Sequence, residues 1–214
     1  MEEGSFKRLR KRFGHWRKTK RLRREFLGYE ARFTSQGLAI PDDSSIRLAM
    51  KNRFPSLRPK PKGVLSIIAV YHHYNWEDYS LKPAMEKFGT VRHYDWFREF
   101  DHTRRDWRTS VKGKMNRELA ARIDRWVLEE RPDVIFTYLS GELVNPETVQ
   151  ALRSFGVPMI HCSLNDKEHF VGKVRGGLAF GSRDICRFFD LAWTSTEDAL
   201  KKYCVEGALP VYLP

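Results

Sequence analysis

The chain of 214 residues is 41% hydrophobic, enough for one good-sized domain plus an appendage, and carries a net charge of +12. Residues 1–62 hold 18 Lys and Arg against 6 Asp and Glu, while residues 63–214 balance 21 against 21, so any anionic partner implied by charge belongs to the first segment. Three scattered cysteines without a C-x-x-C pair argue against a disulfide framework or zinc ribbon and suit a reducing cytoplasm, and no apolar run approaches the roughly 20 residues of a membrane span or forms a signal-peptide core.

The first element expected is a basic amphipathic helix over residues 1–33, frayed at Gly14. Phe6, Leu9, Phe13 and Trp16 recur at helical spacing, and the remaining surface is Arg and Lys. Three readings fit this pattern: an anionic membrane surface, nucleic acid, or a helix whose stripe packs on its own domain. Phe6, Phe13 and Trp16, with Arg8, Arg10, Arg17, Arg21 and Arg24, are the candidate membrane or anion contacts. Residues 34–62 read as a linker punctuated by Pro41, Pro55, Pro59 and Pro61.

From Gly63 onward, short apolar runs alternate with helical patterns. "VLSIIAVY" reads as a buried strand, "YSLKPAMEKFG" as a short helix, and "TVRHYDW" as a strand nearer an edge. "KMNRELAARIDRWVLEERP" is the clearest helix, followed by the strand "DVIFTYL". "NPETVQALRSFG" is a capped helix, with Asn145 before Pro146 and Gly156 at its end. "VPMIHCS" and "LAWTS" are further strands, "TEDALKKYCVEG" is a helix, and "VYLP" is a sixth strand. This order predicts an α/β, Rossmann-like, mostly parallel sheet with helices on both faces, preceded by the basic helix.

Ligands of such sheets bind beyond the carboxyl ends of the strands. The first strand is followed by His72, His73, Asn75, Trp76 and Glu77. Ser140, Gly141 and Glu142 follow the third, Asn165, Asp166, Glu168 and His169 the fourth, and Ser195 and Thr196 the fifth. Asp166, Glu142 and His72 are the catalytic candidates: if those strand ends converge, one of them serves as base for a hydroxyl. The others are candidate substrate contacts. No H-x-x-x-H or H-E-x-x-H spacing supports a metal site, and His161 within a strand reads as a packed core histidine. "GKVRGGLAFGS" has four glycines but no phosphate-loop spacing, and reads as a mobile loop. No G-x-S-x-G elbow points to a hydrolase.

"YHHYNWEDYSLKPAMEKFGTVRHYDW", "RPDVIFTYLSGELVNPETVQALRSFGVPMIHCSLND" and "FDLAWTSTEDALKKYCVEGALPVYLP" together resemble the N-terminal half of CgeB-like (spore-maturation-type) glycosyltransferases, over about residues 63–214. The resemblance implies one Rossmann-like half of a GT-B-type enzyme, facing the acceptor. Its C-terminal half would bind a nucleotide-sugar, the co-substrate, with no bound metal and no cofactor in this chain. The match stops at Tyr212-Leu213-Pro214, where the family's interdomain connection would begin. This half alone is therefore expected to be inactive, with the donor-binding domain supplied in cis or in trans. The family's Asp-Asp turn stands here as Asn165-Asp166, so only Asp166 carries over. The cysteines and the basic helix would place such a protein in the cytoplasm, peripheral on the inner face of a membrane, with an unnamed acceptor. The alternative, from another class, is a stand-alone Rossmann-like binding or regulatory module whose basic arm meets a membrane surface or nucleic acid.

Overall fold

Six apolar runs pair into one fully parallel sheet in the computed structural model, which describes residues 3–73 and 76–214, with side chains described from Arg12 onward. The strands are β1 (Leu65–Val70), β2 (Gly89–Tyr94), β3 (Val134–Thr137), β4 (Met159–Ser163), β7 (Leu191–Thr194) and β8 (Pro210–Tyr212), ordered β2-β1-β3-β4-β7-β8. A two-stranded antiparallel hairpin, β5 (Val174–Arg175) and β6 (Leu178–Ala179), lies between β4 and β7 in the chain. The α/β Rossmann-like architecture read from the sequence is present, with every expected strand in the sheet. β2 lies at one edge, and its alternating exposure explains its polar alternation.

Strand periodicity divides the core. Ile68, Val70 and Ile135 point to one face, where α4 (Lys112–Glu129) lays down Met115, Leu119 and Ile123 and α5 (Pro146–Ser154) adds Val149 and Leu152. Ile67, Ala69 and Phe136 point to the other face and meet Leu81 and Met85. Leu81 closes a π-helical turn (Glu77–Leu81) that leads into α3 (Lys82–Glu86). Asn145 takes an extended conformation before Pro146, and Gly156 follows α5 at φ +68°, as helix-boundary chemistry requires.

The basic segment forms one continuous helix, α1 (Glu3–Ser35), running through Gly14 without a break. Its C-terminal half packs on α7 (Leu200–Val205). Tyr29 is buried edge-on to Phe170 and its hydroxyl donates to Glu206 over 2.7 Å. Lys202 pairs with Glu25 over 2.8 Å and Lys201 with Glu30 over 2.7 Å. The self-packing reading thus holds for this half. Nearer the N-terminus Phe13 and Trp16 stack on each other with more than half of each surface exposed. Phe6, Arg8 and Arg10 lie outside the residues whose side chains are described.

The expected linker, residues 34–62, is only partly a linker. Its middle folds as α2 (Asp43–Arg53), whose N-terminus is capped by Asp42 accepting from Ser45 N over 2.8 Å. Phe54 is buried just beyond it, and Arg53 reaches Asp190 over 3.4 Å. The prolines fall outside this helix, so the punctuation was real while the stretch between was a local helix former.

Candidate functional site

A cleft of about 380 Å³ opens at the carboxyl edge of β3 and β4. Tyr138, Ser140 and Glu142 form one side, following β3. Ser163 and Asn165 form the floor at the end of β4, and His169 follows on α6 (Asp166–His169). Lys173, Phe180 and Ser182, from the segment that carries the hairpin, close the third side, and Arg21 enters from α1. Strand ends of a parallel sheet converge here because each crossover helix returns the chain to the opposite edge.

The glycine-rich segment read as a loop folds as a short hairpin and forms this wall. Its tip is the two-residue turn Gly176-Gly177, with φ +58° and +81°, the left-handed pair that a tight hairpin demands. Gly141 N donates to Gly181 O over 2.9 Å and Glu142 N to Phe180 O over 3.0 Å, pinning the wall to the loop after β3. A Cβ on Gly141 would lie 2.2 Å from Ala179 O, so the close approach requires glycine. Lys112 Nζ donates to Gly141 O over 2.7 Å, and burial lowers this lysine's pKa.

Of the three catalytic candidates, only Glu142 lines the cleft. Its carboxylate accepts from Arg108 over 3.0 Å, and Arg108 lies 4.4 Å from the centre of the Phe180 ring. Asp166 is 1% exposed and stands behind the floor. Ser163 Oγ donates to it over 2.6 Å, Tyr203 OH over 2.8 Å and Ser182 Oγ over 3.3 Å. Burial raises its pKa, against the pull of these hydroxyl donors. The expectation that Asp166 faces an acceptor hydroxyl is therefore corrected: it orders the serines that do face the cleft. His72 stands apart from this cleft. It sits half-buried among Trp96, Phe97 and His102, outside the cleft lining, and burial lowers its pKa.

The other candidates divide similarly. Ser140, Asn165 and His169 line the cleft, and Gly141 shapes it through its backbone. The Trp76 ring centre stands 6.2 Å from that of Tyr138, the two rings tilted by 53°. Glu77 is buried at the start of its turn, and His73 pairs with Asp95. Glu168 pairs with Lys18 of α1. Ser195 Oγ donates to Leu164 O over 3.1 Å, and Thr196 N donates to Thr194 Oγ1 over 3.2 Å; neither residue lines the cleft. Asn75 lies outside the described residues. Arg21 does face the cleft, while Arg17 lies 4.9 Å from the centre of the Phe13 ring and Arg24 is exposed. Lys173, Phe180, Ser163 and Ser182 are cleft residues that the strand-end inventory missed. The Val-Arg-Gly-Gly-Leu-Ala hairpin signal would have located the first two.

Among the described residues, no group of three or more His, Cys, Asp or Glu is arranged to hold a metal ion, and no helix is long and apolar enough to cross a membrane. No protein-family model matches the chain, and neither the curated proteins nor the solved structures yield a match.

Proposed function

We propose that this chain is the acceptor-binding half of a GT-B-type glycosyltransferase of the CgeB-like kind, with the acceptor seated in the cleft between the β3 and β4 ends. One observation carries the reading. The cleft's Tyr138, Ser140, Glu142, Ser163 and Asn165 all fall in the stretch that resembles that family's central segment. Hydroxyl, amide and carboxylate groups converging on one crevice suit a polyhydroxylated acceptor. Glu142 is the base in this reading. It takes the proton of the acceptor hydroxyl as that oxygen bonds to the donor's anomeric carbon. The bond from that carbon to the diphosphate oxygen breaks, and the nucleoside diphosphate leaves with the electron pair. A second domain, in cis or in trans, holds the nucleotide-sugar.

The exposed Phe13–Trp16 pair and its cations support peripheral attachment to an anionic membrane surface through the outer part of α1. Nucleic acid on the same arm is the competing reading, and it predicts tight, salt-steep binding to DNA or RNA.

Saturation-transfer NMR with free sugars, polyols and nucleotide-sugars tests the acceptor reading. A sugar or polyol should contact the chain and lose contact when Ser140→Trp fills the cleft. Contact by a nucleotide-sugar alone, blocked by the same variant, overturns the acceptor assignment.

A further inference from the structure

A second cleft, of about 550 Å³, adjoins the first and shares Glu142 with it. It is lined by His102, Arg104, Arg105, Arg108 and Arg175. The loop after β2 supplies the first three, the turn before α4 supplies Arg108, and the hairpin supplies Arg175. Three chain segments therefore bring four guanidinium groups to one depression at the ligand-binding edge of the sheet.

Their pairing is uneven. Arg104 is held by both carboxylate oxygens of Asp106 at 2.8 and 2.9 Å, and Arg108 is held by Glu142. Arg105 and Arg175 have no carboxylate within ion-pair distance among the described residues. His102 Nδ1 is buried without a hydrogen-bond partner among them. Two uncompensated guanidinium groups border the same space, with His102 packed into its wall against Trp96 and Trp107. A planar fork of N–H donors matches phosphate oxygens best. Trp107 keeps the cleft in register with its neighbour, because its Nε1 donates to Glu142 O over 3.2 Å from a fully packed ring.

We infer that this arginine cleft binds a phosphate or diphosphate group of the ligand whose remainder lies in the neighbouring cleft, with Arg105 and Arg175 as its principal contacts. The inference deepens the acceptor-site reading and rests on it only for what the phosphate is attached to. The ligand class is then a phosphorylated acceptor, soluble or lipid-linked.

Calorimetric titration of the whole chain with inorganic pyrophosphate tests this without any nucleotide-sugar. Saturable binding is expected, weakened about tenfold or more by Arg105→Ala/Arg175→Ala. Both side chains are exposed, so the melting temperature should hold. Lys62→Ala/Lys87→Ala is the control for net charge, since both lysines are exposed just before β1 and β2, at the opposite end of the sheet. Absence of saturable binding, or equal weakening by the double-lysine variant, overturns the inference. Displacement of pyrophosphate by phosphatidic acid vesicles assigns the phosphate to a lipid headgroup, and lack of displacement assigns it to a soluble ligand. The Ser140→Trp experiment tests the acceptor reading separately, so either can fail alone.

Discussion

Ser163 Oγ donates to Asp166 Oδ1 over 2.6 Å, so a serine in the cleft floor covers the carboxylate behind it. Tyr203 and Ser182 complete the enclosure from α7 and from the segment following the hairpin. Asp166 thus joins three parts of the chain, and its removal should read as lost stability. Asp166→Ala leaves the Ser163 and Tyr203 hydroxyls without their acceptor and Ser182 with only its 3.4 Å contact to Ser163 Oγ, and should cost about 3 kcal/mol by urea denaturation. Asp166→Asn, which keeps the shape, should cost about 1 kcal/mol. Unchanged stability with lost acceptor binding in the alanine variant would return Asp166 to the reacting groups.

His161 gives the fold a defined acid sensitivity. It is fully buried, stacked 4.2 Å from the Phe189 ring and bonded through Nδ1 to Thr137 Oγ1 at 3.0 Å. Burial lowers its pKa from 6.5 to about 3. The folded protein therefore stays unprotonated here while the unfolded chain takes up a proton below pH 6.5, so stability falls as pH falls across that window. The loss should approach about 1.4 kcal/mol per pH unit. Asp166 acts in the opposite sense, because its raised pKa makes the native state take up its proton first as pH falls. Denaturation of the wild type and His161→Gln at pH 6 and 4.5 separates the two. The variant should lose the histidine's share of the slope, and parallel slopes would place the protonation elsewhere.

The attachment of α1 depends on a buried charge. The side chain of Lys202 is 3% exposed and pairs with Glu25 over 2.8 Å. Removing only the acid strands an ammonium in the interface, so Glu25→Ala should cost about 3–5 kcal/mol or release the helix. Hydrogen exchange across residues 18–35 would report the release. Glu25→Met/Lys202→Met should restore much of the protection, because it removes both charges from an apolar contact. Equal exchange in Glu25→Ala and wild type would show that Tyr29 and its neighbours hold the helix unaided.

Local periodicity made the sheet legible. "LSIIAV" is buried on both faces, "GTVRHY" alternates as an edge strand does, and Asn145-Pro146 with Gly156 brackets its helix. The rule that strand carboxyl ends carry the site points to Ser140, Glu142, Asn165 and His169, and all four line the cleft. It failed at Asp166 because polarity beyond a strand looks alike whether it faces solvent or the hydroxyls of residues far along the chain. Tyr203 lies 37 positions on and Ser182 lies 16 on, separations that periodicity does not register. Arg21, read as a membrane or anion contact, reaches the cleft through the packing of α1, which periodicity does not register either. The hairpin was within reach of sequence reasoning: Gly176-Gly177 stands between two short strand formers, and the count of glycines drew attention from their spacing.

That hairpin wall should tolerate almost no enlargement at its root. A Cβ on Gly181 would lie 1.6 Å from His169 O and 2.3 Å from Phe170 O, both backbone atoms that cannot yield without moving α6. Gly181→Ala should therefore destabilise the chain by at least about 1–3 kcal/mol, the usual cost of overpacking. It should also disturb the cleft, because Gly181 O accepts from Gly141 N and Ser182 adjoins Asp166. Gly177→Ala is the instructive comparison. Its Cβ meets nothing within 4 Å, but its φ of +81° is one that alanine adopts only with strain, so about 1 kcal/mol is expected with the cleft intact. Thermal denaturation of both variants, paired with the pyrophosphate titration, distinguishes them. If Gly181→Ala melted with the wild type, the wall would be compliant, and its close backbone packing would not be what fixes the cleft's shape.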